Sequence, residues 1–87
     1  MENMKTYNRY VEQEDSYYKK LATLEQCQNA VFDHIYRYGE IFDKLTAEQV
    51  LLAVHQQEDK VRLELLHVRL EKAFLAFAQR PNQLEAD

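Results

Sequence analysis

Apolar residues recur three or four positions apart along two long stretches of the chain. In the C-terminal stretch the row is Ala47, Leu51, Val54, Glu58, Val61, Leu65, Val68, Lys72 and Leu75. In the N-terminal stretch it is Tyr7, Tyr10, Glu14, Tyr17, Leu21, Leu24, Gln28, Val31, Ile35, Tyr38, Phe42 and Leu45. This spacing is typical of one face of an α-helix and of the a and d positions of a coiled coil. It predicts helix 1 over about residues 6–39, a turn over 40–46 and helix 2 over about 47–79.

The ends of helix 2 carry their own signals. Thr46 and Gln49 have the spacing of a capping box, in which each side chain bonds the other residue's backbone N–H. Pro81 cannot continue a helix, so it predicts the stop, and residues 82–87 read as a short polar tail.

Helix 1 has a second row of this spacing, which has every second member in common with the first row and otherwise runs along the adjacent line of the helix. It contains Val11, Glu14, Tyr18, Leu21, Glu25, Gln28, Phe32, Ile35 and Gly39. If the helices fold back so that this row faces helix 2 with Glu14 against Lys72, then Gln28 meets Glu58 and these polar interruptions match. In the same register Glu25 meets Val61, which is a mismatch. The sequence therefore predicts one all-α domain over residues 1–87, a long antiparallel helical hairpin.

Such a hairpin leaves apolar residues over that nothing in the chain covers. The predicted surplus, taken as the partner-binding residues, is Tyr10, Tyr17, Leu24, Val31 and Tyr38 on helix 1 with Leu66, Leu70, Phe74 and Phe77 on helix 2. Soluble monomers seldom expose a patch of that size. We expect the hairpin to be completed as a helical bundle, either by a second copy or by a helix of another protein. The alternative is a break in helix 1 near residues 26–29, which gives a three-helix monomer.

Composition limits the kinds of partner and the cellular compartment that are expected for this protein. The formal net charge of −4 argues against nucleic acid and anionic membrane surfaces as partners. There is neither an apolar run long enough to span a membrane nor a signal peptide pattern. The single Cys27 suits a reducing compartment, which predicts a cytoplasmic protein, and its expected role is that of a small buried apolar side chain.

Candidate chemistry is sparse. Glu64 and His67 have the E-x-x-H spacing of di-iron bundles, although this pattern is also common by chance on charged helices. Tyrosines beside basic residues of helix 1 suggest a base-stacking surface, so a dimeric hairpin that regulates RNA is a second alternative. No nucleophile constellation or phosphate-binding loop is present, and no cofactor or metal is predicted. The favoured function is a non-catalytic adaptor, small chaperone or inhibitor.

Overall fold

The computed structural model describes residues 2–79, which form two long helices joined by a short turn. Helix α1 spans Glu2–Tyr38, a 3-10 turn spans Gly39–Ile41, and helix α2 spans Lys44–Ala78. The helices pack against each other as a hairpin with principal extents of 67 × 22 × 16 Å. The predicted all-α antiparallel hairpin is confirmed. The predicted stop at Pro81 and the predicted tail over residues 82–87 lie outside the described residues.

Helix α1 is continuous and begins earlier than the sequence predicted. It crosses residues 26–29 without a break, so the three-helix alternative is wrong. After Tyr38 the chain tightens into the 3-10 turn, where the Phe42 N–H donates to the Gly39 carbonyl at 3.1 Å. No residue of the described chain has a positive φ, so Gly39 ends α1 without the left-handed conformation that usually favours glycine there.

Helix α2 begins before Thr46, because Asp43 rather than Thr46 is the N-cap residue. The Asp43 carboxylate accepts the backbone N–H of Thr46 at 3.1 Å and also accepts the Thr46 hydroxyl. These two bonds, the hydroxyl bond first, lower the pKa of Asp43 below its usual value of 3.8. The predicted capping box at Thr46 is therefore wrong, and Thr46 instead occupies the third helical position, where it donates to the cap.

We expect Asp43→Ala to lower the melting temperature by several degrees, because the first turn of α2 loses its cap. Asp43→Asn keeps an acceptor and should recover most of the loss. The contribution of the cap is complete above the ordinary pKa and is lost as the pH falls through the lowered folded-state pKa. Thermal unfolding followed by circular dichroism at pH 7 and at acid pH measures both effects.

Glu40→Ala is the matched control for that substitution. Glu40 is an exposed acid in the adjoining 3-10 turn, so the change removes the same charge without removing a cap. A loss as large in Glu40→Ala as in Asp43→Ala would show that charge, and not the cap, is responsible.

The core of the hairpin is one row of side chains on each helix. All members of the predicted α2 row, from Ala47 to Leu75, are buried or half-buried, and Glu58, Val61, Leu65 and Val68 are the most enclosed. Among the described residues no side chain is completely buried. The folded state therefore depends on a thin interior, and each of its few apolar members carries much of the stability.

Over the described residues, neither helix combines the length and the apolar character that a bilayer crossing requires.

Candidate functional site

Five large apolar side chains line the side of α2 that faces away from α1. They are Leu63, Leu66, Leu70, Phe74 and Phe77, and we call them the outer face. In the heptad of α2 that has Leu65 at a and Val68 at d, three of them occupy f, opposite the core, and the other two flank f. Phe74 is 64% exposed, and even Leu70 is 49% exposed. Positions that are normally polar in a two-helix coiled coil are thus apolar over four turns of α2.

The predicted site residues of α2 all belong to the outer face, but those of α1 do not remain open. Tyr10, Tyr17, Leu24 and Val31 are half-buried in the hairpin interior. Leu24 lines a groove together with Val61 of α2, which shows the side of α1 that packs. The predicted open stripe on α1 is wrong in this respect. Tyr38, at the end of α1, is about half exposed.

The reason for this difference lies in Glu25. The two candidate rows of α1 share Glu14, Leu21, Gln28 and Ile35, so they differ only in their other members. The row expected to pack contains Glu25 at mid-helix, where burial of an unpaired carboxylate is costly. The structure packs the row containing Leu24 instead and leaves Glu25 exposed. Tyr18 and Phe32, which lie on the same line as Glu25, are left at the surface as well.

The predicted contact between Glu14 and Lys72 is confirmed. Lys72 Nζ donates to Glu14 Oε1 at 2.6 Å and lies 5.7 Å from the centre of the Tyr7 ring. Glu14 is only 8% exposed. The hydrogen bond to Glu14 raises the pKa of Lys72 and outweighs the opposing effect of partial burial. This pair fixes the height of α1 relative to α2.

The other predicted polar positions also point inward. Glu58 is 6% exposed and Gln28 is half-buried, as expected for members of the two packing rows. The Glu58 carboxylate lies 3.8 Å from Nδ1 of His55, an exposed side chain one turn earlier. A polar residue in a coiled-coil core lowers stability but fixes the register of the helices.

The E-x-x-H pair is split between two environments. Glu64 is half-buried beside Tyr17, whose pKa is raised first by burial and then by the Glu64 charge and hydrogen bond. His67 is exposed. Nowhere in the described residues do three His, Cys, Asp or Glu side chains meet in a way that would hold a metal ion. A di-iron site in the hairpin would need further ligands from another chain.

The tyrosines of α1 do not form one platform. Tyr7, Tyr10 and Tyr17 are half-buried in the interior, whereas Tyr18 and Tyr36 are exposed. A base-stacking surface requires aromatic faces that are open to the nucleotide. The half-buried tyrosines contribute to the core instead.

Cys27 is exposed, which makes the prediction of a buried thiol wrong. In the heptad of α1 that has Leu21 at a and Leu24 at d, Cys27 occupies g, beside the packing row rather than in it. Position 27 directly precedes Gln28 of the packing row, and from the sequence this position is compatible with a buried or an exposed side chain.

An apolar groove runs beside the core at the turn end of the hairpin. It has a volume of about 740 Å³ and lies between Ile35 and Phe42 on one side and Leu51, Leu52 and His55 on the other. Phe32, Leu45 and Leu52 are exposed near this end. The sequence signal for this groove is the second row of α1, whose exposed aromatic members are Tyr18 and Phe32.

No protein family, no curated protein and no solved structure matches this chain.

Proposed function

We propose that the protein is a non-catalytic protein–protein interaction module that binds a helix through the outer face of α2. It would serve as an adaptor, a small chaperone or an inhibitor. The observation that carries this proposal is the exposure of Leu63, Leu66, Leu70, Phe74 and Phe77 along one side of a helix whose opposite side is already packed.

The spacing of these five residues suits a helical partner. They follow one another at intervals of three or four residues, which is how the anchors of one helix meet those of another. Covering half-exposed leucine and phenylalanine side chains contributes roughly 1 kcal/mol each. The sum is offset in part by the cost of association, so a partner of ordinary affinity is expected.

The outer face is a ridge on α2 and not a groove between helices. A partner helix that packs on it would make α2 the middle layer of a three-layer arrangement, with α1 on the far side. Because α1 stays in place, binding would require no opening of the hairpin. The exposed thiol of Cys27 suits a reducing compartment, and we place this activity in the cytoplasm.

Site-specific photo-crosslinking in the native cell tests the proposal. A photoreactive side chain at Leu70 is expected to give a discrete protein adduct. The same group at Gln56, which is an f position on the same line of α2 but lies outside the apolar stretch, should not. Phe74→Glu in the Leu70 probe protein should abolish the adduct, because a charge would enter the apolar contact.

Circular dichroism of the Phe74→Glu variant should remain that of the wild type, since Phe74 is exposed. Equal adducts at positions 70 and 56, or an adduct at 70 that survives Phe74→Glu, would contradict the proposal.

A further inference from the structure

The hairpin has two broad faces to which both helices contribute, and these faces differ in how many apolar residues they expose. In an antiparallel pair the e positions of both helices border one side and the g positions border the other. The groove at the turn end is bordered by Gly39, Glu48 and His55, which are all e positions. The grooves on the opposite side are bordered by g positions such as Lys20 with Gln57, and Ile41 with Val50. The exposures can therefore be sorted by side.

Most of the exposed apolar residues outside the outer face lie on the e side. Met4, Tyr18 and Phe32 occupy e positions of α1, and Tyr36, Leu45 and Leu52 lie next to the e rows; we call these six the apolar flank. On the opposite side, Lys20, Cys27 and His34 of α1 face Gln57, Glu64 and Glu71 of α2. Only two exposed large apolar residues of the described chain, Ile41 and Val50, lie on this opposite side, near the turn. The e side is thus the more apolar of the two.

We propose that a second copy of this chain docks on the apolar flank, with a twofold axis parallel to the long axis of the hairpin. In this arrangement α1 of each copy lies on α2 of the other, and the result is an antiparallel four-helix bundle. The apolar flank adjoins the outer face, since Leu66 occupies the same heptad position as Leu45 and Leu52, but no residue belongs to both sets. The variants below therefore test this contact separately from the proposed function.

Charge on the e rows selects both the occupant and the axis. The e row of α1 has one charged residue, Glu25, whereas the e row of α2 carries Glu48 and His55 near the turn and Arg62 and Arg69 farther along. Counting equal steps from the Glu14–Lys72 contact places Glu25 level with Val61, one residue from Arg62. The same count places Tyr18 next to the level of Arg69. With the axis parallel to the hairpin, Glu25 and Tyr18 of α1 therefore each lie next to an arginine of the second copy.

The other face-to-face arrangement has its axis perpendicular to the hairpin and lays α2 on α2. With the two α2 helices fully overlapped, the axis would pass the midpoint of α2 and bring Arg62 close to Arg62 of the other copy, where like charges repel. Within the described part of one copy, Glu25 and Arg69 form no ion pair, and Arg62 bonds only Asp59, one turn away at 3.3 Å. These charges are thus available to a second copy.

The groove at the turn end fits the same arrangement. An axis parallel to the hairpin keeps every residue at its own height, so Phe32 of one copy lies over His55 and Leu52 of the other. Both residues line the groove of about 740 Å³, which the phenyl ring would enter. A contact roughly 50 Å long and two helices wide covers on the order of 1,000 Å² per copy. That exceeds the ~800 Å² per partner of an ordinary stable interface.

Solution mass tests the proposal on purified full-length protein at micromolar concentration. The wild type is expected to have twice the mass of the chain by light scattering. Phe32→Glu should be a helical monomer, because Phe32 is 44% exposed in the hairpin but enclosed in the dimer. Leu70→Glu, on the outer face, should remain a dimer. A wild-type monomer, or a dimeric Phe32→Glu, would overturn the proposal while leaving the outer face untested by that result.

Reversing the charges of residues 25 and 62 tells the parallel axis from the perpendicular axis. This test does not depend on placing a charge in the apolar contact. Glu25→Arg and Arg62→Glu should each raise the dimer dissociation constant by at least tenfold, and the double variant should recover most of the affinity. With the perpendicular axis, Arg62→Glu would instead remove a repulsion and tighten the dimer, which would overturn the assignment.

Disulfide trapping gives a third measurement. In a Cys27→Ser background, Glu25→Cys and Arg62→Cys chains should form a covalent dimer only when the two proteins are mixed. A covalent dimer in either protein alone, or none on mixing, would contradict the proposed contact. The thiol of Cys27 in the wild type lies on the polar side and should react equally fast in monomer and dimer.

Discussion

Leu65→Ala is expected to lower the free energy of unfolding by about 3 kcal/mol, a large share of the stability of a chain this short. Leu65 is 6% exposed at the centre of the α2 packing row, between Val61 and Val68. Because the core is only one row deep on each helix, few neighbours can move in to fill the space that the leucine leaves. Urea titration followed by helical circular dichroism, at a fixed protein concentration, measures the loss.

Leu70→Ala provides the comparison, since it makes the same change five residues later on the same helix. Leu70 is half exposed on the outer face, and alanine is the better helix former, so the loss should stay below about 1 kcal/mol. The two substitutions together separate core from surface without reference to any partner. Equal losses would show that the outer face is packed in solution as firmly as the core.

The second large effect is expected from Lys72→Met. This change leaves the Glu14 carboxylate almost buried and without its partner, and an uncompensated buried charge is strongly destabilising. Glu14→Leu in the same chain should restore the melting temperature to the wild-type value or above it, because the pair is then replaced by apolar contact. The four members of this double-mutant cycle, melted at pH 7, give the coupling directly. A Lys72→Met variant that melts like the wild type would contradict the role assigned to the pair.

The same pair has an alkaline signature. Lys72 has a folded-state pKa above its usual 10.5, so its contribution is complete below that value and is lost as the pH rises through the folded pKa. The pKa of Tyr17 is raised by burial and by Glu64, so ionisation of Tyr17 at high pH also lowers the stability of the folded protein. Arginine keeps its charge throughout this pH range. The Lys72→Arg variant should therefore lose less stability at high pH than the wild type, and the loss that remains is due to Tyr17.

The sequence pattern predicted both helices, their antiparallel arrangement and the contact between Glu14 and Lys72. It succeeded because three independent constraints agreed: the helical period, the near absence of Gly and Pro, and the matching of the polar interruptions. The exposure of Leu66, Leu70, Phe74 and Phe77 followed from the same row assignment on α2.

The choice of packing face on α1 could not be made in the same way, because two apolar rows share every a position. The energetic cost of burying the Glu25 carboxylate decides between them, and it outweighs the apolar contacts that Tyr18 and Phe32 would have made. The start of α2 was missed for a similar reason. Asp43 and Thr46 are both good cap residues three positions apart, and the sequence does not say which one receives the bond.

The ion pair between Glu14 and Lys72 also has a mechanical consequence. The hairpin is joined covalently at the turn only, and at the far end the helices are held to each other by side chains alone. Among the described residues, the buried members of the α2 row stop at Val68, and the Glu14–Lys72 bond is the last ion pair between the helices before that open end. Separation of the two helices should therefore start at this open end. The Glu14–Lys72 ion pair determines how often the last two turns of α2 separate from α1.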